Sequence, residues 1–270
     1  HPHLPVSIDT FRADVAKEIS HCLGPIIIND ISGGTMDDKM FEIVAELGLP
    51  YIMMHIQGTP QDMQVNPHYD DVVREVREFF TERIARLNAL GFNNIILDQG
   101  FGFGKTVAHN YELMDKMDSF LDLGYPLLVG ISRKSMIWRL LEITPQEALN
   151  GTTVLNTISL LKGAHILRVH DVREAVEAVK IVETMKMSGW MTCHSTIPAV
   201  TDMLNECLVP NWGISIQSSE RSTTSCCTPF TSFPKMKAYF RPLSMANCSR
   251  EILFSTCSTD RIVYPSFFNA

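Results

Sequence analysis

Residues 97–106 read Leu97-Asp98-Gln99-Gly100-Phe101-Gly102-Phe103-Gly104-Lys105-Thr106, and the fold of the chain can be worked out from them. They follow the apolar run Asn94-Ile95-Ile96, typical of a buried strand, and precede a helical pattern. α/β proteins bind ligands where a strand passes into a helix. The carboxylate, glycines and lysine indicate a site for a polar heterocycle with phosphates, and a purely structural turn is an equal alternative. A nucleotide P-loop is disfavoured because Gly100 stands one residue too close to Gly104-Lys105-Thr106.

The composition limits the class of protein. The 270 residues, 45% of them hydrophobic, suffice for one large α/β barrel or two small domains. The formal net charge of −7 disfavours a nucleic-acid partner. We expect a cytoplasmic protein without membrane contact, because no apolar run approaches the ~18 residues of a membrane span and the first residues lack signal-peptide character. A strand-like run begins at Val6 without an initiator methionine, so we expect the chain to start within a domain.

Short apolar runs alternate with amphipathic segments from residue 5 to about residue 186. This alternation is typical of a parallel sheet covered by helices on its faces. The clearest helix spans residues 69–91, where apolar residues recur at three- and four-residue steps and Gly91 ends the pattern. The predicted strands are Val6–Asp9, Ile26–Asp30, Tyr51–His55, Asn94–Asp98, Leu127–Ser132 and Ala164–His170. The predicted helices lie near residues 11–22, 37–48, 69–91, 108–124, 145–162 and 171–186.

Each predicted strand ends in polar side chains. Helix capping would explain one or two of them, such as Asp9 and Asp30. A polar end on six successive strands instead predicts a ring of polar groups at one end of the sheet, where an α/β barrel builds its active site. The residues of the ring are Asp9, Asn29, Asp30, His55, Asp98, Ser132, Arg133, Lys134, Arg168 and His170. Six strands leave an eight-stranded barrel two units short, and we expect the missing units at the front of the chain.

The pattern stops after Lys186. Serine, threonine and cysteine become much more frequent, and Cys22 is the one cysteine that precedes this point. The later cysteines match no zinc-binding spacing, so we expect no metal site there. We interpret residues 187–270 as an irregular tail outside the barrel, for instance a frame-shifted or misjoined end.

Six motifs, in order and each at a strand end, resemble the later motifs of the dihydropteroate synthase family of the folate pathway. The resemblance covers about residues 4–186 and implies an α/β fold, a TIM (β/α)8 barrel with six of its eight βα units recognisable. Residues 1–186 would be the partial pterin-binding barrel. The motifs are Ser7-Ile8-Asp9-Thr10-Phe11-Arg12, Ile28-Asn29-Asp30-Ile31-Ser32-Gly33-Gly34, Met53-Met54-His55, Asp98-Gln99-Gly100-Phe101-Gly102-Phe103-Gly104-Lys105, Gly130-Ile131-Ser132-Arg133-Lys134-Ser135 and Arg168-Val169-His170-Asp171-Val172.

The resemblance implies a transferase. In this family the amine of 4-aminobenzoate displaces pyrophosphate from 6-hydroxymethyl-7,8-dihydropterin diphosphate and gives 7,8-dihydropteroate. A pterin cation forms as pyrophosphate leaves, so no strong base is needed. The family also implies Mg²⁺, small-molecule substrates, an aminobenzoate pocket that sulfonamide drugs also occupy, and a homodimer.

The same resemblance assigns the site residues. The pterin would be held by Asp9, Asn29, Asp98 and Lys134. A buried carboxylate such as Asp98 suits the donor edge of a pterin.

The diphosphate would be received by Arg168 and His170, which are two residues apart and expected to face the same way. Fixed cations stabilise the departing diphosphate, so Lys134, Arg168 and His170 form the predicted catalytic set. Phe103 and Ser132 correspond to positions near the aminobenzoate.

His55 is left out of this set, because a packed histidine explains it equally well. Lys105 has an equal chance of only capping local structure.

Two departures from the family affect the expected activity. Gln99 stands where the family usually has proline, so we expect a looser turn and weaker pterin binding. The first two strands are absent, and with them the asparagine that helps to bind magnesium, so no metal ligand is expected in this chain. We expect unpaired strand edges at Val6–Asp9 and Ala164–His170, and a poor or inactive catalyst.

Two other functions stay open. A pterin-binding methyltransferase shares the barrel, but it has no diphosphate for Arg168 and His170 to bind. A non-catalytic remnant of the synthase is the second alternative.

Overall fold

The structure is a computed structural model that describes residues 5–187 and the backbone of residues 261–263. Strands and α-helices alternate along the described chain. Their bounds are β1 (Ser7–Asp9), α1 (Ala13–Leu23), β2 (Ile27–Asp30), α2 (Met40–Leu47), β3 (Tyr51–Met54), α3 (Val72–Ala89), β4 (Ile95–Asp98), α4 (Val107–Asp115), β5 (Leu127–Val129), α5 (Ser135–Leu141), α6 (Leu149–Leu161), β6 (Ile166–Val169), α7 (Val172–Met187) and β7 (Arg261–Val263). Two 3-10 helices span Met117–Leu123 and Pro145–Glu147.

The first six strands form a curled parallel half-barrel in which each strand pairs with the next one along the chain. A helix follows every one of these strands and returns the chain to the same edge. This arrangement is six consecutive βα units of a (β/α)8 barrel. The predicted fold, an incomplete α/β barrel, is therefore confirmed.

Strand β7 pairs antiparallel with β6, with Arg168 opposite Ile262. The edge of β6 was expected to be open, and β7 instead covers it. The other residues of the predicted tail lie outside the described residues. Within the described chain, β1 pairs with β2 alone.

Alternation along the strands separates two apolar layers. One inward residue from each of five neighbouring strands forms a buried inner cluster, and its members are Ile27, Ile52, Ile96, Leu128 and Ile166. The outward residues, such as Ile28 and Leu97, join a larger cluster beneath the helices. Because successive side chains point to opposite faces, the strand positions two residues beyond the inner cluster also face the barrel interior. These positions are Asn29, Met54, Asp98, Gly130 and Arg168.

The helices differ from the prediction in detail. Helix α5 was not predicted, because its seven residues are too few to show a clear period. The predicted helix near 108–124 is divided into α4 and a 3-10 helix, and the one near 145–162 into a 3-10 helix and α6. Helix α3 ends at Ala89, before the predicted end at residue 91, and Gly91 adopts a φ of +76°, the left-handed conformation expected of a helix-terminating glycine. None of the helices within residues 5–187 is both long and apolar enough to cross a lipid bilayer.

Candidate active site

The polar ends of β1 and β2 meet inside the half-barrel. Asp9 and Asn29 are register partners, and Asn29 Nδ2 donates a hydrogen bond of 2.6 Å to Asp9 Oδ1. Asn29 is buried, and its own Oδ1 accepts no hydrogen bond within the described chain. A buried acceptor without a partner is costly and would gain from a ligand that donates to it.

Asp98 and Arg168 form a buried ion pair. Arg168 Nη2 lies 2.9 Å from Asp98 Oδ2, and the two side chains are 14% and 1% exposed. Asp98 Oδ1 accepts a second hydrogen bond of 2.8 Å from the backbone N–H of Gly100. The carboxylate predicted to hold the pterin is thus held here by the arginine predicted to hold the diphosphate.

The glycine-rich turn is organised by a buried lysine. Lys105 Nζ donates to the carbonyl oxygens of Gly100 (3.1 Å) and Phe103 (3.0 Å), and it lies 2.8 Å from His55 Nδ1. Burial lowers the pKa of Lys105 to about 7, and the charge on Asp98 opposes this shift. Burial also lowers the pKa of His55 well below its ordinary value, with Lys105 adding to the effect. The neutral imidazole therefore accepts from Lys105 through Nδ1. His55 and Lys105 together hold the turn from inside.

The loop between β3 and α3 holds the same turn from outside. Gln64 Nε2 donates to the carbonyl oxygen of Gly102 at 2.7 Å, and the Tyr69 hydroxyl donates to that of Gly104 at 2.8 Å. Burial raises the pKa of Tyr69 above its ordinary value, so the phenol stays protonated as a donor. The glycine-rich turn is therefore fixed from two sides.

Lys134 lies over the glycine-rich turn. Its Nζ donates to the carbonyl oxygen of Phe101 and lies 4.7 Å from the centroid of the Phe103 ring. A Cβ atom at Gly102 would lie 3.3 Å from Lys134 Cδ, so the glycine leaves room for the stem of the lysine. The structure thus brings together the predicted pterin residue Lys134 and the predicted aminobenzoate residue Phe103.

The loops after β5 and β6 are joined to each other. The backbone N–H of His170 donates to Ser132 Oγ at 3.2 Å. Arg133 binds the Asp171 carboxylate with two hydrogen bonds, of 2.9 Å from Nε and 2.8 Å from Nη2. Arg133 also donates to the carbonyl oxygen of Gln146 at 2.7 Å. Ser132 and His170 therefore lie side by side, and Arg133 fixes the two loops that carry them.

Asp30, the neighbour of Asn29, belongs to the scaffold. Its carboxylate faces the helices and accepts hydrogen bonds from the Ser32 hydroxyl (2.7 Å), the Gly34 N–H (2.7 Å) and the Tyr51 hydroxyl (2.7 Å). Burial raises the pKa of Asp30 in spite of these bonds. Asp30 therefore shapes the loop after β2 and does not point into the barrel.

Gln99 is buried with 1% of its surface exposed, and neither amide atom has a hydrogen-bond partner in the described chain. Burying an amide without partners costs free energy. The structure thus marks Gln99 as a poor fit to its site. The weaker pterin binding expected from Gln99 stays a prediction.

The described residues do not fit a dedicated magnesium site. Within residues 5–187, no three His, Cys, Asp or Glu side chains are grouped so that they could hold a metal ion.

The structure brings the predicted site residues together in four contacts at one end of the half-barrel. These are Asp9 with Asn29, Asp98 with Arg168, Lys134 with Phe103, and Ser132 with His170. The contacts of Arg133 with Asp171 and of Lys105 with His55 were not predicted, because these partners lie 38 and 50 residues apart in the sequence. Gly130 was also missed as a site residue, although it directly follows β5 and stands two residues after the inward-facing Leu128, and that spacing was a usable signal.

Comparison with known proteins gives one consistent result. The family model "Pterin binding enzyme" matches residues 1–170. The dihydropteroate synthase of Escherichia coli (strain K12) is 47% identical over 180 residues, which are 66% of this chain and 63% of that protein. The chain therefore spans just under two thirds of the length of this relative.

Solved structures agree with the sequence relatives. A Yersinia pestis dihydropteroate synthase in complex with a sulfonamide drug is 42% identical, with a TM-score of 0.65 over 68% of each chain. The Xanthomonas albilineans dihydropteroate synthase in complex with 7,8-dihydropteroate is 34% identical, with a TM-score of 0.62 over 68% of this chain and 67% of that one. A half-barrel with polar strand ends, a family match over most of the described residues and these structural relatives together show that the chain belongs to the family of pterin-binding enzymes.

Proposed function

We propose that the chain carries the pterin and diphosphate sites of a dihydropteroate synthase. In the proposed reaction, the amine nitrogen of 4-aminobenzoate bonds to the methylene carbon of 6-hydroxymethyl-7,8-dihydropterin diphosphate. The bond from that carbon to the diphosphate oxygen breaks, pyrophosphate leaves, and the amine loses a proton to water. The observation that carries the proposal is the buried Asp98 beside Arg168, with Asp9 and Asn29 at the same end of the barrel.

The pterin would lie across the strand ends. Asp98 would accept hydrogen bonds from the donor edge of the ring, and Asn29 Oδ1 would accept another from a ring N–H. Asp9 orients the Asn29 amide through the hydrogen bond between them. The inner apolar cluster below, which includes Ile96, excludes water from the floor of the site and strengthens these bonds.

The diphosphate would be received by Arg168 and His170. Fixed cations stabilise the negative charge that grows on the leaving oxygen, and this electrostatic effect is the main source of rate enhancement in the proposal. Lys134 adds a further cation at the boundary between the two substrates, because it already contacts Phe103 on the proposed aminobenzoate side. Ser132, beside His170, would line the same pocket.

Magnesium would accompany the diphosphate as a counter-ion. The described residues do not form a dedicated site for it, and none of the steps above depends on it.

A homodimer and a cytoplasmic location remain predictions. Exposed apolar side chains on the last three described helices suit a subunit contact, and they are Leu141, Val154, Ile181 and Met185.

The proposal is tested by calorimetry with 6-hydroxymethylpterin diphosphate on the 270-residue chain. We expect binding that weakens at least tenfold in Asp98→Asn, which removes the carboxylate charge at equal size. Asp122→Asn is the control, since Asp122 is exposed and pairs with Arg77 on the helical surface. Equal affinities for the chain and both variants would reject the proposed pterin site.

The same titration separates the alternatives. A pterin-binding methyltransferase would bind the free pterin and the pterin diphosphate equally well, whereas a synthase prefers the diphosphate. A non-catalytic remnant would fold only in part and bind pterin or nothing, and the absence of a cooperative unfolding transition would identify it. Pteroate formation is expected to be slow in this chain, and rapid turnover with magnesium would contradict that expectation.

A further inference from the structure

The ion pair between Asp98 and Arg168 joins the two halves of the proposed site. Arg168 Nη2 donates to Asp98 Oδ2 at 2.9 Å, and Gly100 N–H donates to Asp98 Oδ1 at 2.8 Å. Asp98 is 1% exposed, so this carboxylate is cut off from water. A buried carboxylate needs such partners, because an uncompensated charge in the interior is strongly unfavourable.

A glycine makes the pair geometrically possible. Asp98 is on β4 and Arg168 is on β6, so the arginine side chain must cross β5 to reach the carboxylate. It crosses at Gly130, where a Cβ atom would lie 2.8 Å from Arg168 Nη2 and 3.0 Å from Nε. Any side chain at this position would therefore push the guanidinium away from Asp98.

In the proposed function, Asp98 also binds the pterin and Arg168 also binds the diphosphate. A pterin presents two donors to Asp98 along the edge of the carboxylate, and Arg168 now lies on one of the two oxygens of that edge. A diphosphate requires the guanidinium that Asp98 now holds. The two ligand groups therefore both compete with the same internal ion pair.

We propose that the Asp98–Arg168 pair, with Gly130 as the clearance that permits it, determines specificity for a pterin that carries a diphosphate. The inference rests on the proposed function. A pterin without an anion must displace Arg168 from Asp98 and offers the guanidinium no anion in exchange. An anion without a pterin draws Arg168 from Asp98 and offers the carboxylate no donor in exchange. A ligand that has both groups satisfies both side chains at once. Pterin and pyrophosphate should therefore bind with positive coupling, and each should raise the affinity for the other by the same factor.

The test measures the dissociation constant of 6-hydroxymethylpterin by calorimetry, with and without saturating inorganic pyrophosphate. In the unmodified chain we expect pyrophosphate to tighten pterin binding about tenfold, which corresponds to about 1.4 kcal/mol of coupling. Unchanged affinity in the presence of pyrophosphate would overturn the proposal.

The variant Gly130→Ala distinguishes coupling through the Asp98–Arg168 pair from a direct attraction between the two ligands. The added methyl meets the far end of a flexible arginine side chain, so the variant is expected to fold. Pterin alone should bind three- to tenfold more tightly to it, and the coupling should fall below about threefold. A coupling retained at its full value would overturn the proposal.

A double variant tests whether Gly130→Ala changes pterin affinity through the Arg168 side chain. In Arg168→Met, the further change Gly130→Ala should leave pterin affinity unchanged, because the side chain that it displaces is gone. An equal effect of Gly130→Ala in both backgrounds would show that the alanine acts through the backbone of β5, which would refute the proposal. Failure of pterin to bind any of these chains, with or without pyrophosphate, would instead reject the proposed function and the inference with it.

Discussion

Gly100 and Gly48 share a φ of +65° and differ in their surroundings. A Cβ atom at Gly100 would lie 1.9 Å from the carbonyl oxygen of His55, whereas nothing lies within 4 Å of one at Gly48. Gly48→Ala should therefore cost about 1 kcal/mol of unfolding free energy, from left-handed strain alone. Gly100→Ala should cost about 3 kcal/mol or more, because the backbones of two loops must separate.

Chemical denaturation of the two alanine variants measures this difference. Equal losses of unfolding free energy would show that the glycine-rich turn and the His55 carbonyl are not in close contact.

The pKa of Lys105 gives a prediction about pH. Burial lowers this pKa to about 7 in the folded chain, against 10.5 ordinarily. Between these two pH values Lys105 is more protonated in the unfolded chain than in the folded one. The free energy of unfolding should therefore increase as the pH rises from 7 and decrease as the pH is lowered towards 7. Between pH 7 and 9.5 we expect the free energy of unfolding of the unmodified chain to increase by about 1–3 kcal/mol more than that of Lys105→Met.

The control is Lys180→Met, in which an exposed lysine of α7 is changed. It should follow the pH dependence of the unmodified chain. If the free energy of unfolding depends on pH in the same way in the unmodified chain and in Lys105→Met, the pKa of Lys105 is not lowered by folding.

At the scale of elements, Arg133 fixes the loop after β5 to the loop after β6. Its guanidinium makes two hydrogen bonds to Asp171 and one to the Gln146 carbonyl, with 28% of the side chain exposed. Lysine keeps the charge but cannot make this two-pronged contact. Arg133→Lys should therefore cost about 1 kcal/mol of unfolding free energy and should weaken pyrophosphate binding through Ser132 and His170.

Arg173→Lys is the matched control, since Arg173 pairs with Glu177 on the exposed face of α7. This surface pair should tolerate lysine without a measurable change in stability. If the two variants have the same stability and the same affinity for pyrophosphate, Arg133 does not hold the loops together.

The elements also show what the sequence can predict. All six parallel strands were predicted, because buried strands carry continuous apolar runs and the residue after each run is polar. Strand β5 nevertheless ends at Val129 and not at Ser132, since apolar Ile131 belongs to a loop. Helix α5 was missed because a seven-residue helix offers too little periodicity.

The site was predicted less completely than the sheet. Alternation places Asp98 and Arg168 on the same inward face. Their ion pair was not predicted, because the arginine reaches the carboxylate only by crossing β5 at Gly130. The hydrogen bonds of Lys105 to Gly100, Phe103 and His55 depend on the fold of two loops, and no local pattern in the sequence contains that information.

At the scale of the whole molecule, the described sheet has β1 at one edge and β7 at the other. Strand β1 pairs with β2 on one side, whereas β3 and β4 are paired on both sides. We therefore expect the amides of β1 to exchange with solvent at least tenfold faster than those of β3 and β4, because edge strands open locally at lower free energy.

Hydrogen exchange followed by mass spectrometry over peptides that cover Ser7–Asp9 and Tyr51–Met54 measures the two rates. The segment Ile95–Asp98 serves as an internal reference, since it is also central in the sheet. Equal protection of β1 and β3 would show that another part of the molecule covers the edge of β1.

The neighbouring residues Asn29 and Asp30 face opposite sides of β2, with Asn29 turned towards Asp9 and Asp30 turned towards Tyr51. A slip of β2 by one residue would exchange the two sides. The carboxylate would then meet a second carboxylate at Asp9, and the amide would face the loop that Asp30 now organises. A one-residue slip is thus unfavourable on both faces of β2 at once. The side chains of Asn29 and Asp30 therefore also specify the register in which β1 and β2 pair.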